Sequence, residues 1–575
     1  MLKILKYIKP FRISIILSLI LLMLRSLADL YLPTLTADIV NIGIVNSDVD
    51  YILKVGCFMI GTAAFAAFCN IVATYISAKA GNGFSKVLRD KVFTQIESFS
   101  LHEFDQFGTA SLITRTTNDI TQIRMVMNFG LRMMIIAPIM CIGSVFMAFS
   151  RDTSLASIFV LIIPILGAII YFIMQKGSPL FAAMQNKLDT LNLVLRECLT
   201  GVRVIRAFNR DSLEEQRFKS ANMDYFVTST TVNRIMGATM PLGTLVINIA
   251  IIAIVWFGSI RITTGNIQVG DLMALIQYAM HVMSSLVTLT RVFIIIPRAS
   301  ASAARISEVL ETVPEIRDPE MEKPSSGLRG HVEFKNVTFS YPGAERPALN
   351  NISFSAKQGQ VTAVIGSTGS GKSTLASLIL RLYDVDKGSI LINSVDVREM
   401  TQETLRRKIS YVPQKALLFS GTVWENITYG KEDASLDEVE HVLRIAQAKD
   451  FIHDMKEGLK TVISQGGKNV SGGQRQRLTI ARALIRKPEI YIFDDSFSAL
   501  DFRTEAMLRT ALYKEAAQST VFITSQRVST VMHANQIIVL EDGNIEGIGN
   551  HEELMETCEV YREIVESQFK EEKIA

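Results

Sequence analysis

Six apolar stretches dominate the first half of the chain, at roughly residues 13–35, 52–78, 130–150, 154–175, 238–261 and 268–297. Each reaches the ~20 residues a helix needs to cross a hydrocarbon core of about 30 Å. A chain built this way is expected to be a multi-pass membrane protein. Lys3, Lys6, Lys9 and Arg12 precede the first span, and no small-residue cleavage site follows it, so that span is expected to be retained. The next connection, Asn41 to Asp50, has no basic residue and lies among Asp38, Asp48 and Asp50. The positive-inside rule therefore puts the N-terminus in the cytoplasm. Two long connections carry Lys79, Lys86, Arg89, Lys91, Arg115 and Arg124, and then Lys176, Lys187, Arg196, Arg203, Arg206 and Arg210, which puts both inside. Ser85–Phe99 and Leu188–Phe208 keep helical apolar spacing, so the membrane helices are expected to run on beyond the bilayer.

With 575 residues the chain is too long for a single core. Lys+Arg 59 against Asp+Glu 56 gives +3, which offers no bulk charge for a nucleic-acid partner. Cys57, Cys69, Cys141, Cys198 and Cys558 form no CxxC pair and their number is odd, so neither a disulfide framework nor a zinc cluster is indicated. After a helical run to Thr312, Pro314, Pro319, Pro324 and Ser325-Ser326-Gly327 break the pattern. The expected organisation is a transmembrane domain over 1–311, a linker over 312–330 and a second domain over 331–575.

The second domain alternates short β-like runs with helical ones: Val332–Phe339, Gln360–Ile365, Ser389–Ile392, Ile409–Val412, Ile490–Phe493, Thr520–Thr524 and Gln536–Leu540. Such alternation predicts an α/β domain with a largely parallel sheet. Directly after one of these runs stand Gly366, Ser367, Thr368, Gly369, Ser370, Gly371, Lys372, Ser373 and Thr374, and a helical run follows. This is a phosphate-binding P-loop in its strand–loop–helix setting. Glycines let backbone N–H groups face the phosphates, the helix N-terminus favours the anion, Lys372 reaches the β/γ-phosphates and Ser373 can ligate Mg²⁺. ATP and Mg²⁺ are the cofactors this loop calls for. Downstream, Ile490–Phe493 ends in Asp494, placed to hold Mg²⁺ through water. Ser471, Gly472, Gly473 and Gln474 open another helix and offer donors to an anion, either for a second nucleotide's phosphate or simply as a cap.

With these elements in order, the chain resembles ATP-binding cassette (ABC) transporters of the exporter type, in which membrane and nucleotide-binding domains are fused. Ser471–Gln474 match the family's signature sequence. The resemblance implies that Tyr341 stacks on adenine, that Gln414 is the Q-loop glutamine near Mg²⁺, and that Ser498-Ala499-Leu500-Asp501 is the D-loop. Phe104-Asp105, Leu112–Arg115 and Asn118-Asp119 resemble the first intracellular loop, and Gly201–Phe208 the second. In the family the second loop usually docks on the opposite cassette, which implies a swapped dimer.

Two positions depart from the family. The catalytic glutamate after the Mg²⁺ aspartate is Asp495, and the switch histidine is Gln526. Aspartate retracts the carboxylate by roughly 1.5 Å, and a misplacement of about 1 Å can lower a rate ~10²-fold. A neutral amide can hydrogen-bond a γ-phosphate but carries no imidazolium charge. The site on this P-loop is therefore expected to bind ATP and to hydrolyse it slowly or not at all, while the signature motif completes a partner's site. That partner is a homologous half-transporter carrying the glutamate and histidine, as in bacterial heterodimeric multidrug exporters. The other reading is tolerated drift in a homodimer. Val462 and Gln465 also replace the glutamates usual before the signature.

In the membrane half, Arg25 and Asp29 share a helix face and are expected either to pair or to line an aqueous cavity. Met273, Gln277, Met280, His281, Met283, Ser284 and Thr288 in span six suit either ordinary packing or a cavity for amphipathic ligands. Arg132 and Arg291 are expected near the cytoplasmic side or facing a cavity. The expected function is ATP-driven export of hydrophobic or amphipathic compounds such as drugs across the cell membrane, with both termini cytoplasmic. Alternatives are a lipid, peptide or siderophore transporter of the same fold, or a regulatory nucleotide-gated membrane protein.

Overall fold

The computed structural model describes residues 4–324 and 327–574. Lys3, Ser325 and Ser326, and the side chain of Arg291, lie outside the described residues. The chain divides into two compact units: Met1–Glu97 with Thr109–Thr312, and Ser98–Gly108 with Val313–Ala575.

The first unit is all helical. Six helices are long and apolar enough to span a membrane: Lys6–Ile44, Val49–Glu97, Thr109–Arg151, Thr153–Thr200, Asp211–Thr263 and Val269–Glu311. They are 39 to 53 residues long, well beyond bilayer thickness, so the helical spacing beyond the predicted spans does continue the helices. Their outward faces carry bare apolar side chains such as Ile60, Phe68, Ile142 and Trp256. A soluble protein could not leave these in water, and acyl chains cover them at no cost. Close approach is bought with small residues: a Cβ on Gly143 would stand 2.3 Å from Leu30 Cδ1. At the short-loop end, Arg151 pairs with Asp38 and Asp271 at 3.2 and 3.1 Å, and Arg261 with Asp152 at 2.8 Å. Asp152 also caps the fourth helix by accepting from the Leu155 N–H. Short π-helical segments at Arg115–Asp119 and Val126–Gly130 interrupt the third helix.

The second unit is α/β. Its central sheet runs Asn544–Gly549, Gln536–Glu541, Val361–Gly366, Thr520–Ser525, Ile490–Asp494, Ile409–Val412, all parallel except the first strand. Val361–Gly366 is buried throughout, as expected of a strand covered on both faces. This is the largely parallel sheet expected, but two of the expected strands do not join it. Val332–Phe339 and Lys387–Ile392 belong to a separate antiparallel sheet of order Leu349–Ala356, Val332–Phe339, Lys387–Ile392, Val395–Asp396. Period-2 patterning marks a strand but does not say which sheet it joins.

Candidate functional site

Parallel register assembles the site at the carboxyl ends of three adjacent strands. Ser525 pairs with Ile365 and Thr524 with Asp494, so the loops that follow all three strands emerge side by side. The chain turns sharply after Gly366: Gly369 and Gly371 have φ of 89° and 102°, and Gly371 is the N-cap of helix Lys372–Ile379. A Cβ on Gly371 would lie 2.6 Å from Leu349 Cδ2, so glycine is required there for conformation and for space. Lys372 is buried, and its Nζ donates to the Gly366 and Ser367 carbonyls at 2.9 and 2.6 Å. Burial pushes this ammonium down, opposed by Asp495 and Asp494. An ammonium whose close acceptors are the loop's own carbonyls is set to receive phosphate oxygens.

The Ser373 hydroxyl donates to Asp494 Oδ1 at 2.9 Å, so hydroxyl and carboxylate converge as a Mg²⁺ site requires. Thr524 Oγ1 donates to the same oxygen at 2.7 Å and accepts from the Asp495 N–H at 3.0 Å. Tyr411 OH donates to Asp494 Oδ2 at 3.3 Å, and burial together with Asp494 pushes that phenol up. Neither Thr524 nor Tyr411 was a candidate from sequence. Their roles arise from strand register, and the only signal was their position inside predicted strands.

Asp495 has φ 45°, a left-handed conformation uncommon for a side chain other than glycine. Gln414 Nε2 donates to its Oδ2 at 3.1 Å. Burial pushes the Asp495 carboxyl up and Asp494 adds to this, against the Gln414 hydrogen bond, Lys372 and Arg527. Gln526 meets the P-loop directly, where Thr368 Oγ1 donates to its Oε1 at 3.4 Å. Next to it, Arg527 donates to the Ser498 carbonyl at 3.1 Å and faces the buried Glu505 at 3.5 Å. Tyr341 is 37% exposed, stands edge-on to Phe339 and Tyr383, and shares a 3.0 Å hydrogen bond with Thr374.

The Ser471 segment is not brought to this loop. Ser471 caps helix Gly472–Leu484 through a reciprocal pair with Gln474, at 3.0 and 3.3 Å. A Cβ on Gly473 would approach Ala499 O at 3.2 Å, so the segment packs against the Ser498–Asp501 turn. Among the described residues no hydrogen bond joins Ser471–Gln474 to Gly366–Thr374.

Helix Leu101–Phe107, capped by Ser100 and Glu103, belongs to the cassette unit, where Tyr383 OH donates to Asp105 at 3.5 Å and burial lifts that phenol to about 12. Helix Val202–Ala207, in the other unit, buries none of its residues. There too, Arg25 and Asp29 pair at 3.3 Å, and His281 lies within electrostatic reach of Asp29. Met273 and Met280 are exposed, whereas Met283 packs against a buried cluster. Among the described residues no cluster of metal-ligating side chains occurs, and all five cysteines are free.

Residues 15–286 match the ABC transporter transmembrane region, and residues 349–498 match the ABC transporter ATP-binding family. The chain belongs to the ABC transporter family. An uncharacterized ABC transporter ATP-binding protein of Mycobacterium tuberculosis is 41% identical over 98% of this chain and 97% of its own length. One from Bacillus subtilis is 41% identical over 99% of each. A fatty acid ABC transporter ATP-binding/permease protein of Mycobacterium tuberculosis is 32% identical over 82% of this chain and 75% of its own. Among solved structures, a bacterial Atm1-family ABC exporter with ATP bound superposes with a TM-score of 0.79 at 25% identity, covering 97% of this chain and 98% of the other. This ABC transporter therefore has the fused exporter architecture, a multi-pass membrane half and an ATPase cassette that drives transport.

Proposed function

We propose that this ABC transporter is one half of a heterodimeric exporter, and that its own P-loop site is the slow one. The observation that carries the reading is the pair of residues lining that loop. The carboxylate beside Gln414 belongs to Asp495, and the side chain facing Thr368 is Gln526. Both lack what fast hydrolysis asks of those positions, reach in one case and a titratable ring in the other.

In this reading Gly366, Ser367, Thr368, Gly369, Ser370, Gly371, Lys372 and Thr374 cradle the ATP phosphates, and Tyr341 takes the adenine. Ser373, Asp494 and Gln414 hold Mg²⁺, which when bound offsets charge on the β- and γ-phosphates. Asp495 orients water weakly and Gln526 contacts the γ-phosphate. The partner supplies a glutamate and a histidine, and Ser471–Gln474 complete the partner's site. Support for a second chain comes from helix Val202–Ala207, bare of buried residues, and from Ser471–Gln474, which make no hydrogen bond to the P-loop of their own chain among the described residues.

The cargo is a hydrophobic or amphipathic compound leaving through the cell membrane, with both termini cytoplasmic. A fatty acid transporter among the relatives favours lipid-like cargo over peptides. The test is photolabelling with an azido-ATP in the assembled complex. The expected result is labelled, unhydrolysed nucleotide on this chain and labelled diphosphate on the partner. Diphosphate on both would refute the reading.

A further inference from the structure

Arg132 is a charged group in the membrane half whose only described side-chain hydrogen bond is with an amide. Its Nη2 donates to Asn70 Oδ1 at 3.2 Å, and among the described residues no carboxylate pairs with it. The same oxygen accepts from Arg25 Nη1 at 2.9 Å, so two guanidinium groups from two helices converge on one atom of a third. Among the described residues only Asp29, 3.3 Å from Arg25 Nε, pairs with this charge. Two arginines against one aspartate leave a net positive site on the membrane helices, and a cationic cluster whose shared acceptor is one amide oxygen is open to an anion.

The neighbouring turn carries an unpaired polar atom. Asn128, one turn before Arg132, has a buried Oδ1 without a hydrogen-bond partner. It sits in the π-helical segment Val126–Gly130, a type of irregularity frequent at binding sites. Gly81 makes the approach feasible, since a Cβ there would stand 1.9 Å from that oxygen. Arg132 and Gly81 border one small crevice of about 10 Å³, room for a single water, so an anion would meet the guanidinium groups at their exposed side.

Depth along the helices specifies the ligand further. Asn70 and Arg132 each lie about 20 residues from the short-loop end of their helices, roughly 30 Å at the helical rise, or one full hydrocarbon thickness. In the proposed orientation that is the headgroup level of the cytoplasmic leaflet.

We propose that Arg25, Asn70 and Arg132 form the head-group site for a monoanionic, single-chain amphiphile entering from the cytoplasmic leaflet. The guanidinium forks take the anion and the tail stays in the acyl layer. This deepens the exporter reading by naming a cargo class, and it is tested without nucleotide, so it stands or falls apart from which cassette hydrolyses ATP.

The experiment measures radiolabelled oleate binding to the full-length chain, with and without its partner, in nanodiscs of zwitterionic lipid, against methyl oleate and against competing acetate. Saturable binding of oleate, none of methyl oleate, and no competition from acetate at equal concentration are expected. Arg132→Gln weakens oleate binding about tenfold or more, and Arg132→Lys, which keeps the charge but not the fork, weakens it less than Arg132→Gln does. Asp29→Asn removes the single negative charge and tightens binding, a gain that misfolding cannot imitate. Equal binding of oleate and methyl oleate, full competition by acetate, unchanged binding in a monodisperse Arg132→Gln protein, or no gain with Asp29→Asn would each overturn the assignment.

Discussion

Gln414 Nε2 lies 3.1 Å from Asp495 Oδ2, so the amide that follows one strand holds the carboxylate that follows the next. The contact spans neighbouring strands, Ile409–Val412 and Ile490–Asp494, whose register pairs Val412 with Phe493. A glutamate at 495 would carry its carboxylate about one bond further and could not keep this geometry unchanged.

Asp495→Glu together with Gln526→His should therefore raise hydrolysis at this site. With the partner's own glutamate changed to glutamine to silence the other site, the double substitution is expected to increase ATPase by about tenfold to 10²-fold. Steady-state phosphate release checks it.

Hydrolysis remaining at this site should have an acid limb shifted upward. Burial, and then Asp494, raise the Asp495 carboxyl, so the ionised form able to orient water accumulates at higher pH than for an ordinary carboxylate. Activity then falls as pH drops through the raised value, and Asp495→Asn abolishes the limb. A pH–rate profile of the complex with the partner site silenced reads this directly.

Gly371→Ala should remove ATP binding while leaving the membrane half intact. Its φ of 102° and the 2.6 Å approach to Leu349 penalise any Cβ, at about 1–3 kcal/mol for the backbone alone. Loss of the ATP-induced rise in Tm, with unchanged detergent extraction, is the expected outcome.

Thr524→Val should be more damaging than a surface change. It strips a hydroxyl that bridges Asp494 Oδ1 and the Asp495 N–H, leaving a buried carboxylate short of a donor at about 1–3 kcal/mol. Thr524→Ser keeps the bridge and should behave like the parent. Mg²⁺ dependence of ATP binding separates the two.

Much of this was legible in the sequence because local rules carried it. Each of the seven β-like runs coincides with a strand, and the P-loop's glycines announce a backbone conformation regardless of context. Strands Leu349–Ala356 and Asn544–Gly549 escaped notice: the first opens on paired asparagines and half its residues face outward, the second is a glycine-bearing edge. Tyr411 and Thr524 gain their roles from neighbours over eighty and thirty positions away in Asp494, through strand pairing that no local pattern encodes. The same holds in the membrane half. Arg25 and Asp29 are read off one helix at i,i+4, but their link to Arg132 passes through Asn70 on another.

The most direct test of the asymmetric assembly is the ATPase rate of this chain purified alone and then with a partner that carries the glutamate and histidine. The account predicts turnover only in the pair, cut to the slow residual rate of this chain's site when the partner's glutamate becomes glutamine and largely kept with Asp495→Asn. A chain that dimerises with itself and turns over ATP at a rate abolished by Asp495→Asn would contradict it and make this a homodimeric pump that works with aspartate.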